Sequence, residues 1–97
     1  MLELSHVSDG VPVSNALGIS ECSEYILMLN GNDIGILEAF IEDSIIYIFN
    51  VELEEAFRGK NLFKSYLENT YDKIIVFWPK NQKVLSYWET IADEIYH

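Results

Sequence analysis

The stretch Glu54-Glu55-Ala56-Phe57-Arg58-Gly59-Lys60-Asn61-Leu62-Phe63 follows an apolar run, Ile45-Ile46-Tyr47-Ile48-Phe49, and opens an amphipathic one. How it is read decides the fold. From Leu62 onward, Leu62, Phe63, Tyr66, Leu67 and Thr70 recur at the spacing of one helix face, with Lys64, Glu68 and Asn69 on the other, so the stretch enters a helix. A loop running from a strand into a helix N-terminus presents unpaired backbone N–H groups and the positive end of the helix dipole, a setting suited to a pyrophosphate. Arg58 and Lys60, with Lys64 one turn into the helix, bring positive charge to the same place. The plainer alternative is an ordinary strand-to-helix turn, since any such turn can carry a glycine and cations.

Upstream, Tyr25-Ile26-Leu27-Met28-Leu29 is a strand-like apolar run, Asn30-Gly31-Asn32-Asp33 is a hairpin turn, and Ile34 to Ile41 is the return strand. Glu42-Asp43-Ser44 turns the chain again into Ile45 to Leu53, completing a three-stranded antiparallel meander. Downstream, Lys73 to Trp78 is near-continuously apolar, the pattern of a strand covered on both faces, and strand-helix-strand favours a parallel right-handed crossover. Pro79 stops that strand. Asn81 caps a last helix whose stripe is Val84, Trp88, Ile91 and Ile95, supported by Leu85 and Ala92. In residues 1–22, Asp9-Gly10, Pro12, Ser14-Asn15 and Gly18 break any period, so a short strand at Met1 to Ser5 followed by turns is expected. The predicted fold is one α+β domain over residues 1–97: an irregular N-terminal segment, the three-strand meander, then α-β-α with one parallel strand pair.

Composition narrows the function. The 97 residues, 49% apolar and 13% aromatic, support a single core. A net charge of −10 repels nucleic-acid phosphates and anionic membranes and attracts cations or basic partners, so direct nucleic-acid binding is excluded. No apolar run approaches the length that spans a bilayer, and the first ten residues lack a cationic start and a long apolar stretch. Cys22 is the single cysteine, and His6 and His97 are the histidines, so neither an intramolecular disulfide nor a Cys/His metal cluster is expected; the chain reads as cytoplasmic. The six cations all lie between Arg58 and Lys83, where Glu68 and Asp72 oppose them and the local charge is +4. The expected molecule is dipolar, a basic corner on an acidic body.

The order meander, strand ending in hydrophobic-acid-x-x-aromatic-Arg-Gly-Lys, amphipathic helix, strand, helix resembles the GNAT superfamily of N-acetyltransferases, over about Glu24 to Ala92. The resemblance implies acetyl-CoA as cosubstrate, its pyrophosphate held by the loop Arg58, Gly59, Lys60, Asn61 and Leu62, and the strand end at Leu53 facing the thioester. Against the family's loop pattern, R-G-x-G-x-G/A, Asn61 stands at the second glycine and Phe63 at the last small residue. Asparagine tolerates a left-handed backbone and keeps its N–H. Phe63 either turns inward as core or blocks the ligand, and its helical face favours core. In the last helix, Asn81-x-x-Val84-x-x-Tyr87-Trp88-Glu89 resembles the family's Asn-x-x-Ala-x-x-Phe-Tyr-Glu, with Trp88 at the tyrosine position. An indole cannot protonate a thiolate, so Trp88 is expected to pack. Tyr87 has the hydroxyl but points about 100° away around the helix. Glu52 or Glu54 serves as a base for the amine, or each is an ordinary solvated carboxylate.

Two functions follow from the resemblance. One is an acetyl-CoA-dependent N-acetyltransferase acting on a cationic amine of a small molecule or protein, with Glu52 and Tyr87 as candidate catalytic groups. The other is a non-catalytic, acidic binding or inhibitory protein of the same fold that engages a basic partner surface. The enzyme reading predicts a cleft where two strands splay beside Leu53 and Val76; a closed sheet filled by Phe63 and Trp88 counts against it. It also leaves the acceptor wall short, a role for a second subunit pairing through an exposed edge at Tyr25 to Leu29 or the neighbouring strand.

Overall fold

The computed structural model describes residues 1–59 and 61–97. Among these residues six strands and two helices follow in the order β1 (Leu2–Pro12), β2 (Glu21–Leu29), β3 (Asn32–Glu42), β4 (Ile45–Leu53), α1 (Leu62–Thr70), β5 (Lys73–Phe77), α2 (Gln82–Glu89) and β6 (Glu94–Tyr96). The strands lie side by side in chain order in one mixed α+β sheet. β1 to β4 are antiparallel, and β4–β5 and β5–β6 are parallel.

Local chemistry sets the hairpins. Asn30 and Gly31 (φ 51° and 84°), like Asp43 and Ser44 (φ 52° and 63°), form two-residue loops with both φ angles positive, the geometry whose twist matches the flanking strands. Two successive right-handed crossovers travelling the same way across a sheet put both helices on one face. The core accordingly joins Leu27, Leu37, Ala39, Ile46, Ile48, Ile74 and Val76 of the sheet to Phe63 and Leu67 of α1 and Trp88 of α2. The other face carries residues of the opposite strand parity, outside that core. There Phe49 stacks on Phe77 with centroids 4.6 Å apart, Phe77 stacks on Tyr96 at 5.2 Å, and Phe40 meets Tyr47 at 5.6 Å.

Three expectations change. Residues 1–22 are not a short strand and turns: β1 runs the full Leu2–Pro12, because two register irregularities, between His6 and Ser8 and between Ser8 and Val11, absorb the Asp9-Gly10 break. Asp9 is also held by Ser23 Oγ at 2.6 Å and His6 Nε2 at 2.8 Å. With β1 paired outside β2, the meander has four strands, and of the two edges expected, Tyr25 to Leu29 is covered by its neighbour β1, which is itself an edge, with β6 at the other side of the sheet. Finally, Ile95 does not continue the last helix. That helix stops at Glu89, and Asp93 exchanges hydrogen bonds with Ile74, its Oδ2 accepting from Ile74 N and its N donating to Ile74 O, each at 2.8 Å. This clamp seats Ile95 beside Val76 in a second parallel pair.

Candidate functional site

The cleft beside Val76 begins with an extra residue in β4. Leu37 pairs with Val51 and Glu38 with Asn50, but Ala39 pairs with Ile48, so Phe49 bulges out of the β3–β4 ladder. A bulge bends its strand and sharpens the twist. The β4–β5 ladder ends at the same level, with Ile48 against Val76, while β4 continues along β3 to Leu53 and β5 turns toward β6. The two parallel strands therefore part. Between them lies a cleft of about 60 Å³, walled by Phe49, Asn50 and Val51 of β4, Val76 and Phe77 of β5, the loop Trp78-Pro79-Lys80, and Val84 and Trp88 of α2.

Two features mark this cleft. Asn50 Oδ1 is the one buried side-chain polar atom among the described residues with no hydrogen-bond partner, and an unmatched buried acceptor costs about 1–3 kcal/mol. Trp78, at the end of β5 and immediately before Pro79, has φ 49°, a left-handed conformation that a bulky side chain rarely adopts. Its amide donates to Tyr96 O at 2.7 Å, and its ring is 45% exposed at the cleft rim, 6.1 Å from that of Phe49. Strain of this kind is stored where the surrounding structure dictates the conformation.

Glu52 lies one step further along β4. Its Oε1 is 3.7 Å from Nζ of Lys80, an exposed pair of the kind worth little in stability. On its other side Glu52 lines an open hollow of about 270 Å³ with Asp33, Gly35, Ile36, Leu53 and Glu54. Glu52 thus stands between the cleft and a hollow holding three carboxylates. Gly35 is obligatory here: a Cβ at this position falls 2.2 Å from Glu52 O.

The loop after β4 is turned rather than extended. Glu55–Phe57 forms a single 3₁₀ turn, and Gly59 and Asn61 have φ 74° and 57°, the left-handed values anticipated for asparagine. α1 starts at Leu62, its first backbone bond running from Ser65 N to Asn61 O, and the Asn61 side chain makes no cap. The amides of Leu62, Phe63 and Lys64 thus have no intrahelical acceptor. Arg58 is partly committed, its Nε donating to Leu53 O at 2.8 Å. Lys60 lies outside the described residues.

Phe63 and Trp88 are core, 2% and 3% exposed and edge-to-face with centroids 6.2 Å apart. They fill the space under the sheet without closing the gap between β4 and β5. Tyr87 is not brought to Glu52: it is absent from the cleft wall and packs edge-on against Trp88 at 5.1 Å. Burial, with a smaller contribution from Glu68, pushes its hydroxyl above the usual tyrosine range. Of the residues named from the sequence, Glu52 and Leu53 line the hollow; Asp33 and Gly35, which line it too, and Trp78 and Lys80, which line the cleft, were not named. The signals available were a glycine inside β3 and an aromatic residue directly before a proline.

Neither a family model nor a curated protein sequence matches the chain. Acetyltransferases of known structure resemble it. One is an aminoglycoside acetyltransferase from an uncultured soil metagenomic sample, 13% identical over 72% of this chain and 56% of that one, with a TM-score of 0.49. Another is a ribosomal-protein-alanine N-acetyltransferase from Brucella melitensis biovar Abortus, 15% identical over 73% of this chain and 63% of that one, TM-score 0.46. A third is a GNAT-family acetyltransferase from Streptococcus pneumoniae, at 9%, 70%, 57% and 0.44 respectively. The chain spans less than two thirds of the length of each of these.

Proposed function

We propose that this protein is an acetyl-CoA-dependent N-acetyltransferase acting on a cationic amine. The observation that carries the reading is the parting of β4 from β5 at Ile48 and Val76, which leaves the backbone of residues 49–53 without a partner strand on that side. A slim acyl-bearing arm fits such a gap because it can take the place of the missing ladder, and the unmatched Asn50 Oδ1 adds an acceptor for an amide N–H of that arm. The amides that open α1, with Arg58 beside them, suit the phosphates. When bound, acetyl-CoA supplies the thioester carbonyl.

The residues of the chain do the rest. Asp33, Glu52 and Glu54 attract a protonated amine to the open hollow next to the cleft, since three neighbouring carboxylates favour a cation. Glu52 takes the amine proton, which requires only that the weak contact to Lys80 open. Lys80, freed from Glu52 at the cleft wall, offsets negative charge on the departing sulfur. Trp88 and Val84 keep water out of the inner end of the cleft.

The test is product formation. Incubated with acetyl-CoA and a linear primary diamine, the protein should yield the monoacetylated diamine by mass spectrometry, and Glu52→Gln should lower the turnover by about 100-fold or more. An unacetylated diamine, with product no higher than in the protein-free control, overturns the reading.

A further inference from the structure

Among the described residues neither a helix nor a second sheet lies on the face opposite α1 and α2, where Cys22, Ile75 and Phe77 are buried but much of the apolar surface is not. Strand parity places Ile26, Ile36, Phe40, Tyr47, Phe49 and Tyr96 on it, all partly exposed. Such an apolar sheet face normally packs against a second layer. A row of acceptors crosses the same face. Glu24 stands directly opposite Glu38, and Glu38 directly opposite Asn50 on the next strand. Like charges facing each other across a ladder are destabilising. Among the described residues neither glutamate has an ion-pair partner, and Asn50 Oδ1 lacks a donor. Lys73, on this face, is already bound to Glu94 at 2.5 Å, and Lys80 lies 3.7 Å from Glu52.

We propose that this open face docks an amphipathic segment of a partner protein, whose apolar residues cover the Phe40, Tyr47, Phe49 and Tyr96 rings while a Lys or Arg side chain donates to the Glu24–Glu38 pair. Charge complementarity selects this occupant. A second copy brings the same glutamates and a net charge of −10 to the contact, and an anionic lipid surface or nucleic acid meets the same repulsion. A cationic segment removes the Glu24–Glu38 repulsion. The proposal does not rest on acetyl transfer; Phe49 and Asn50 also wall the cleft between β4 and β5, and the peptide titration is made without cofactor, so it tests the face separately.

The probe is a synthetic 18-residue leucine–lysine amphipathic peptide, with its leucine–glutamate counterpart as control, titrated against the full chain carrying isoleucine methyl labels. The expected result is binding of the lysine peptide that shifts Ile26, Ile36, Ile45 and Ile75 on the open face and leaves Ile34, Ile46, Ile48 and Ile74 still, with no response to the glutamate peptide. Affinity should weaken about tenfold or more when sodium chloride is raised from 50 to 500 mM, and by a similar factor in Glu38→Gln, whose folding is checked by its unchanged core methyl signals. No binding below millimolar peptide, shifts confined to the helix side, or open-face methyl signals that move with protein concentration alone would each overturn the proposal, the last by showing that a second copy covers the face.

Discussion

Replacing Gly35 by alanine tests the geometry of the hollow through a single methyl group. Gly35 lies in β3 between Leu27 of β2 and Leu53 of β4, and its would-be Cβ falls 2.2 Å from Glu52 O and 3.1 Å from Leu53 Cα. Real Cβ atoms essentially never approach another heavy atom within 3.0 Å, so β3 and β4 must separate by at least 0.8 Å, the difference between those distances. Both atoms belong to backbone, which has no rotamer to change. Overpacking of this kind costs about 1–3 kcal/mol. For a domain of this size that corresponds to a fall in Tm of about 4–8 °C per kcal/mol, and urea denaturation should register a midpoint lowered by about 1 M with little change in slope. Because the displaced atoms carry Glu52 and Leu53, Gly35→Ala should also lower the rate of diamine acetylation beyond what its residual stability explains. A variant as stable as the parent, with Glu52 unmoved, would refute the close approach on which the hollow depends.

Other consequences follow from buried or paired groups. Cys22 is 3% exposed, and burial, aided by Glu38, pushes its thiol from 9.0 to about 11, so reaction with an aromatic disulfide at pH 8 should be at least about 100-fold slower than in urea; equal rates would contradict its burial. Lys73 and Tyr96 hold the Glu94 carboxyl below its usual range. A depressed folded-state value means that this contribution to stability is present above the ordinary carboxylate range and is lost as pH falls through the folded-state value, so Glu94→Gln should be less stable than the parent at pH 7 and should close the gap as pH drops toward 3, read from urea midpoints. Asn81→Ala removes the Oδ1 that accepts from Val84 N at 3.0 Å and should cost about 0.5–2 kcal/mol by the same assay.

The parts of the fold that were legible in the sequence were those with a local cause. The two hairpins could be read because Asn-Gly and Asp-Ser supply left-handed residues, and α1 because Phe63 and Leu67 repeat at one helical spacing. The inward turn of Phe63 and the packing of Trp88 followed from the same periodicity. What escaped depends on pairing across the sheet. Asp9-Gly10 signals a break in isolation, and only the alignment of β1 with β2 turns it into irregularities inside one strand. Ile95 fits a helical stripe by spacing, and the contact of Asp93 with Ile74, nineteen residues away, decides otherwise. Leu53 and the Arg58 loop were named from the family resemblance, through their order along the chain. The bulge at Phe49 and the exposed, strained Trp78 arise from the parting of two strands, which no single segment encodes.

The account stands on the gap between β4 and β5 being a binding cleft. A backbone amide NMR titration of the full chain with CoA addresses it directly. Saturable shifts should appear at Asn50, Val51, Val76 and Trp78 on the two sides of the gap and at Gly59 and Asn61 in the loop before α1, with little change along β1 and β2. Spectra unchanged at millimolar CoA, or shifts scattered over the surface and absent from those residues, would contradict it.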